Sequence, residues 1–569
     1  MDRITRRDLL VGIGGASAVG ALACSAHPAV RGTGSGGGGA PDGRASGRGM
    51  VASSQVPATE AGVSILRAGG NAADAAIAVA AALNVTEPTS TGLGGDCFAL
   101  YYDGATRAVT ALNGSGRAPA RLTLDLLRSQ GMRELPPFHA HTVTVPGACA
   151  GWCDLIERHG SLPMATILAP AIRLAEEGFP VGENTAYFWA RGLDRQGAAA
   201  NIRELSIDGR APRGGERFRN PGLARALRAV AAGGKEAFYR GEIGAAIVRV
   251  LQESGGVMSA ADLASHQSTW DEPISTTYRG VRVWECPPNG QGITALLGLN
   301  ILEGFDLEAL DPLGPDRLHI LVEAMRLAFA DTRWYVADPR LTRVPVAELL
   351  SKDYAARRRA LIDPERATAD VRRGSPVAGT DTVYFCVVDG RGNACSFINS
   401  NYMGFGTGIV PRGWGFTLQN RGYGFSLDPS HPNALAPGKR PYHTIIPGMM
   451  TRADGSLFGP FGVMGGFMQP QGHVQVVVDM LDDGLAPQAA LDRPRFCIEP
   501  VDGAAKVELE EGIAPATAEA LTARGHAIVA GVTGYERSLF GRGQIIRRDA
   551  DGSLVAGSDR RADGRAGGT

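Results

Sequence analysis

Most signatures of a metal, nucleotide or serine-triad enzyme are missing from this sequence. Its eight cysteines are scattered, with no C-x-x-C pair among them, which argues against a zinc site. No H-E-x-x-H or other helical histidine pair occurs. The Gly-rich "TGLGGD", Thr91 to Asp96, has no following Gly-Lys-Ser/Thr and so is not a phosphate-binding P-loop. G-x-S-x-G, the strand-to-helix elbow of the α/β-hydrolases, is absent; neither "GSGR" nor "ASSQ" supplies it. Neither sign of charge is in excess. With 57 basic and 58 acidic residues the formal net charge is -1, which argues against a nucleic-acid or polybasic membrane surface.

What is present is a chain able to bury a large core. Hydrophobic residues make up 44% of the 569 positions, too many for disorder through the middle. The cysteines mostly flank apolar residues and read as small hydrophobes; Cys386 and Cys395 lie on neighbouring strand candidates, where a pairing is open. The first 25 residues read as an address. Arg6 and Arg7 precede an apolar run, Leu9 to Ala23, too short and too Gly/Ala-rich for a membrane span. The pattern matches a twin-arginine export signal, with periplasmic or extracellular delivery expected. "ALAC", Ala21 to Cys24, allows either a lipid on Cys24, hence a membrane tether, or simple cleavage near Ala23. Residues 26–48 form a Gly-rich flexible linker.

From Met50 the pattern is dense. Gly69 to Val85 predicts an Ala-rich helix, apolar on most faces and therefore buried. A strand follows from Cys97 to Tyr102. Pro146 to Ala330 reads as mostly helical, interrupted by a strand in "YRGVRVWECPP". After Asp381 short strands follow in "TVYFCVVD", "NACSFINS", "GWGFTLQN", "HTIIPGMMT" and "SLFGPFGVM". A helix in "QPQGHVQVVVDMLDDG", a hairpin in "GQIIRRDADGSLVAGSD" and a frayed C-terminus complete the chain. The expectation is an α+β chain, helix-rich for two-thirds and strand-rich at the end.

The remaining nucleophile candidate is Thr382, at the head of the strand Val383 to Val388 and after a loop with little periodicity. A threonine hydroxyl is a weak nucleophile without an adjacent base. If the peptide before it is cut, its own α-amine, with an unperturbed pKa of about 8, can be that base. A β-branched residue starting a strand is equally the composition of an ordinary sheet. The residues alone leave both readings open.

The surrounding stretches resemble the γ-glutamyltransferase (γ-glutamyltranspeptidase) family of the N-terminal-nucleophile (Ntn) hydrolases. The resemblance runs from about Gly49 to Asp559. It is carried by "GMVASSQVPATEAGVSILRAGGNAADAAIAVAAALNVTEPTSTGLGGDCFALYYD", "VPGACAGW", "YRGVRVWECPPNGQG", "EAMRLAFADTRWYVADP", "GNACSFINSNYMGFGTGIV", "PGKRPYHTIIPGMM" and "GVMGGFMQPQ". It implies a four-layer αββα sandwich. It also implies a proenzyme that cuts itself between Asp381 and Thr382, giving a large portion, residues 49–381, and a small portion, 382–569. Thr382 would then be the nucleophile and its α-amine the base. Ser400 matches a position that orients the nucleophile. Gly465 and Gly466 match the pair whose N–H groups form the oxyanion hole. No cofactor or metal is implied.

The substrate pocket departs from the family. The arginine that holds a γ-glutamyl α-carboxylate falls at Ser115, with Arg117 two residues on. The acidic residue for the α-amine falls at Gly424, a neutral amide position is Arg421, and a Ser-Ser pair is His443-Thr444. Losing a cation and an anion disfavours a zwitterionic head group. Three functions stay in play: γ-glutamyl hydrolysis or transfer with glutathione as donor; hydrolysis of another carboxylate-bearing amide, such as oxamate or a dicarboxylic acyl amide; and an inactive scaffold. The partners implied are a small-molecule substrate and the chain's own two portions, not nucleic acid.

Overall fold

The computed structural model describes residues 43–45, 49–369, 371, 381–500 and 505–569, with backbone alone for 43–45, 381 and 382. The stretch read as an export signal, Cys24, most of the expected linker and most of the loop before Asp381 lie outside the described residues.

Two seven-stranded antiparallel sheets form the centre. One runs, in spatial order, Arg565–Gly568, Gly49–Ser53, Asp381–Asp389, Ala394–Tyr402, Asp96–Tyr102, Val109–Gly114 and Thr269–Asp271. The other runs Gly43–Ala45, Leu554–Ser558, Arg542–Arg548, Leu457–Met464, Gly448–Thr451, Val281–Glu285 and Ile274–Tyr278. The sheets meet where Asp381–Asp389 packs on Leu457–Met464 and Arg542–Arg548. Helices Val56–Arg67, Ala72–Thr86 and Ala148–His159 cover the outer face of the first sheet; Gly292–Leu302, Met468–Leu481 and Pro487–Asp492 cover the second. The result is the αββα sandwich.

The sequence explains why the Thr382 strand sits at the centre. "VYFCVV" is apolar without alternation, and every residue from Val383 to Val388 is buried because both faces are covered. One face meets the Ala72–Thr86 helix, itself buried at all fifteen residues. Alanine lets that helix approach closely. Its start is fixed by a capping box between Asn71 and Asp74, and Asp389, at the far end of the Thr382 strand, accepts from the Ala72 amide at 3.0 Å.

Four expectations change. "GWGFTLQN" makes no strand, only an isolated bridge of Leu418 to Gly94, because Gly413 and Gly415 take positive φ and break the extended run. "HTIIPGMMT" becomes strand only from Gly448. The C-terminus is not frayed: Arg565–Gly568 pairs with Gly49–Ser53, and the Thr569 amide donates to the Gly49 carbonyl at 3.1 Å. Gly43–Ala45, inside the expected linker, forms an edge strand on Leu554–Ala556. Cys386 and Cys395 are both free. Their partners across the ladder are Ser396 and Val387, so the two thiols leave opposite faces of the sheet and cannot pair.

Candidate active site

The register at the head of the central strand is irregular. Asp381 pairs with Tyr402 and Val383 with Asn399, so Ser400 and Asn401 together oppose the single residue Thr382. This bulge sets the Thr382 backbone beside Ser400. Ser400 is fully buried, and its Oγ accepts from the Tyr402 amide at 2.9 Å and from Arg421 Nη2 at 3.2 Å. Tyr402 carries φ of 80°, a strained value for a non-glycine residue and one that clusters at functional sites.

Arg421 is the most consequential side chain here. It is fully buried, its guanidinium lies 4.1 Å from the Tyr402 ring centroid, and Nη1 donates to Thr444 Oγ1 at 2.8 Å. Among the described residues its Nε has no hydrogen-bond partner, and no carboxylate lies within ion-pair distance of the guanidinium. Burial pulls its pKa down to about 10, against the opposing pull of Tyr402 and Asp96. It remains a cation at neutral pH.

Asp96 stands at the head of the neighbouring strand, opposite Ser400. Its Oδ1 accepts from the Gly116 and Gly147 amides and from Gln419 Nε2, at 3.0, 3.1 and 2.8 Å. Its Oδ2 lies 3.1 Å from His443 Nε2. Burial drives the Asp96 carboxyl up to about 7, although Arg421 and the two amides favour the anion. Burial, then Arg421 and Arg440, hold His443 well below the usual histidine range, so it is neutral. Its Nδ1 accepts from the Ile445 amide, which leaves the ring proton on Nε2 to donate to Asp96.

Gly465 and Gly466 form the turn between the Leu457–Met464 strand and the Met468–Leu481 helix, with φ of 134° and 61°. A side chain at Gly465 would meet Gly541 Cα at 3.2 Å, so glycine is required by both backbone and space. Helix amides fix the turn: Met468 N donates to the Gly465 carbonyl and Gln469 N to the Gly466 carbonyl.

The remaining expected site residues divide. Thr444 and His443 join the Arg421 cluster. Ser115 is buried but already engaged, its Oγ accepting from Asn289 at 3.1 Å and its carbonyl from Arg440 at 2.9 Å. Arg117 donates to the Gln267 carbonyl at 3.1 Å, near Arg340 and Asp338, and none of its described contacts involves Arg421, His443 or Thr444. Gly424 supplies no side chain. Asp96, Tyr402 and Gln291 were not picked out from the sequence. For Asp96 a signal existed: one acidic residue at the head of an otherwise apolar, buried strand.

The sequence matches the gamma-glutamyltranspeptidase family over residues 58–569. The chain belongs to that family. It is 38% identical, over 91% of its length and 98% of the relative's, to the glutathione hydrolase-like YwrD proenzyme of Bacillus subtilis. It is 35% identical to the acylase ACY 1 proenzyme of a Pseudomonas species, over 91% and 93% of the two chains. The crystal structure of a cephalosporin acylase from Bacillus halodurans superposes with a TM-score of 0.86 at 47% identity, covering 95% of this chain and 99% of that one. Membership makes the chain an Ntn amide hydrolase or acyltransferase, and the scaffold reading falls away.

Proposed function

We propose that this γ-glutamyltranspeptidase-family chain cuts itself before Thr382 and hydrolyses amides whose acyl group bears a carboxylate but no α-amine. Thr382 Oγ attacks the amide carbonyl while the freed α-amine takes its proton. The developing oxyanion is received by the N–H groups of Gly465 and Gly466. The amine leaves with the proton, and water, activated by the same α-amine, releases the acid.

The observation that carries the choice of acyl group is the buried Arg421 guanidinium, held on Tyr402, Ser400 and Thr444 without an ion-paired carboxylate among the described residues. A buried cation of this kind gains most from a carboxylate ligand. The family's position for the second half of a glutamyl clamp is Gly424, which has no side chain; Arg117 is engaged at Gln267, and the nearby Asp96 carboxylate is taken up by Gly116, Gly147, Gln419 and His443. Acylases stand among the relatives beside a glutathione hydrolase-like proenzyme, which puts acyl groups other than γ-glutamyl within the family's range. Delivery outside the cytoplasm belongs to the proposal through Arg6 and Arg7 alone, and Arg6→Lys with Arg7→Lys retaining the protein in the cytoplasm would support it.

The test begins with intact mass and N-terminal sequencing beside Thr382→Ala. Two chains in the wild type, one starting at Thr382, and one chain in the variant are expected. A glutaryl amide, oxamate and glutathione are then compared. Carboxylate-only donors should be preferred, and Arg421→Met should cost them about 3 kcal/mol in kcat/KM, roughly two orders of magnitude. Glutathione turned over faster than every carboxylate-only donor would overturn the acyl assignment.

A further inference from the structure

Gln291 lies at the start of the Gly292–Leu302 helix, in the large portion of the chain, and is fully buried. Its side-chain Nε2 donates to two carbonyls of the small portion, Thr444 and Gly466, each at 2.8 Å. Its Oε1 accepts from Tyr442 Oη at 2.9 Å, and its own amide donates to the His443 carbonyl at 2.9 Å. The orientation of the side-chain amide is forced. Two facing carbonyls can only accept, so the NH₂ must face them, and the tyrosine hydroxyl then supplies the proton that Oε1 needs. Both donors of this amide and one lone pair of its oxygen are used.

The two carbonyls belong to the two halves of the active site. The Gly466 carbonyl is part of the oxyanion turn. Thr444 holds Arg421 through its hydroxyl. Both turn glycines lack a Cβ to restrict rotation, and the helix start constrains them from one side only. Gln291 constrains Gly466 from the other. The Gly466 N–H lies in the same peptide plane as the Gly465 carbonyl, which Met468 N holds; Gln291 fixes the next plane and so the Gly466 backbone that carries this donor.

We propose that Gln291 is a positioning residue that aims the oxyanion donors and locks them in register with the carboxylate-holding Arg421–Thr444 unit. The role crosses the cut: a large-portion side chain aligns a small-portion turn. It rests on Gly465 and Gly466 being the oxyanion donors for Thr382.

The variants are Gln291→Met, which keeps the length and removes both donors, and Tyr442→Phe, which removes only the hydroxyl that orients the amide. The ring of Tyr442 stacks under Arg333 at 4.7 Å, a contact phenylalanine preserves, so this variant reads the effect even if Gln291→Met does not fold. Acylation and deacylation both pass through an oxyanion, so kcat is the readout. A misaimed hole should lower kcat by up to roughly 10²-fold in Gln291→Met, and by less in Tyr442→Phe. KM should barely move, and the factor should be the same for a glutaryl amide and for an acyl amide with no carboxylate. Wild-type kcat in a folded Gln291→Met overturns the role, as does wild-type kcat in Tyr442→Phe where Gln291→Met does not fold. So does a loss confined to KM for carboxylate donors, which would tie Gln291 to Arg421 alone. A wild-type chain that never cuts before Thr382 removes the underlying mechanism, and that result is seen without any variant.

Discussion

Asp96 places a charge that titrates near neutrality within the electrostatic reach of Arg421. With its carboxyl at about 7, it is neutral below that pH and anionic above it. The anion cancels part of the Arg421 charge, and the neighbouring His443 stays uncharged throughout and cannot compensate. KM for a carboxylate-bearing donor should therefore rise as pH passes through about 7, and KM for an uncharged acyl donor should not. A KM–pH profile with both donors, repeated on Asp96→Asn, checks this; the variant should be flat. Stability has a definite sign too. The folded-state pKa is raised above the ordinary carboxylate value, so the folded chain holds this proton more tightly. Its contribution is complete below the unfolded pKa and is lost as pH rises through about 7. Thr382, Ser400, Gly465 and Gly466 are named from sequence through the family resemblance, which contiguous motifs carry. Asp96 shows in sequence only as an acidic residue at the head of an apolar strand and Tyr402 not at all, because their meaning comes from distant partners: Asp96 from His443 and Gln419, Tyr402 from Arg421.

Among the elements, the last strand is the one whose role the sequence concealed. "RRADGRAGGT" has no hydrophobic alternation and five small residues. It is ordered because it completes the edge beside Gly49–Ser53, whose backbone groups would otherwise lack partners. Asp563 anchors it. That carboxylate accepts from the amides of Asn184 and Thr185, from Asn184 Nδ2 and from Thr185 Oγ1, capping the Glu183–Gln196 helix. Asp563→Ala leaves these donors short of an acceptor and should cost about 2 kcal/mol, measured by denaturant unfolding, with substrate preference unchanged. The long helices were legible throughout, since Glu242–Glu253 and Pro315–Tyr335 carry their own periodicity or apolar content. The segment "GWGFTLQN" was not, because aromatic and β-branched residues there pack as a loop over Gly94 instead of entering a ladder.

At the scale of the molecule, the fold holds the two products of a cut at Thr382 together. Gly49–Ser53, the first strand of the large portion, lies between Cys386–Asp389 and Arg565–Gly568, which come from the two ends of the small one. Gln291 and Arg542, which pairs with Glu87 at 2.9 Å, add buried contacts across the same divide. The cut chains should therefore co-elute on gel filtration and unfold in one transition; separation of the two in native buffer would contradict this.

The sequence by itself determined the long helices, the buried strand from Val383 to Val388 and the family, because these depend on local periodicity and on contiguous motifs. Only the tertiary structure separated the two candidate arginines. Arg117 and Arg421 are both plausible in one dimension. In three, one donates to the Gln267 carbonyl and the other is buried against Tyr402, Ser400 and Thr444. The choice depends on the path of the side chain and on what desolvates it, and neither is a property of neighbouring residues in the chain.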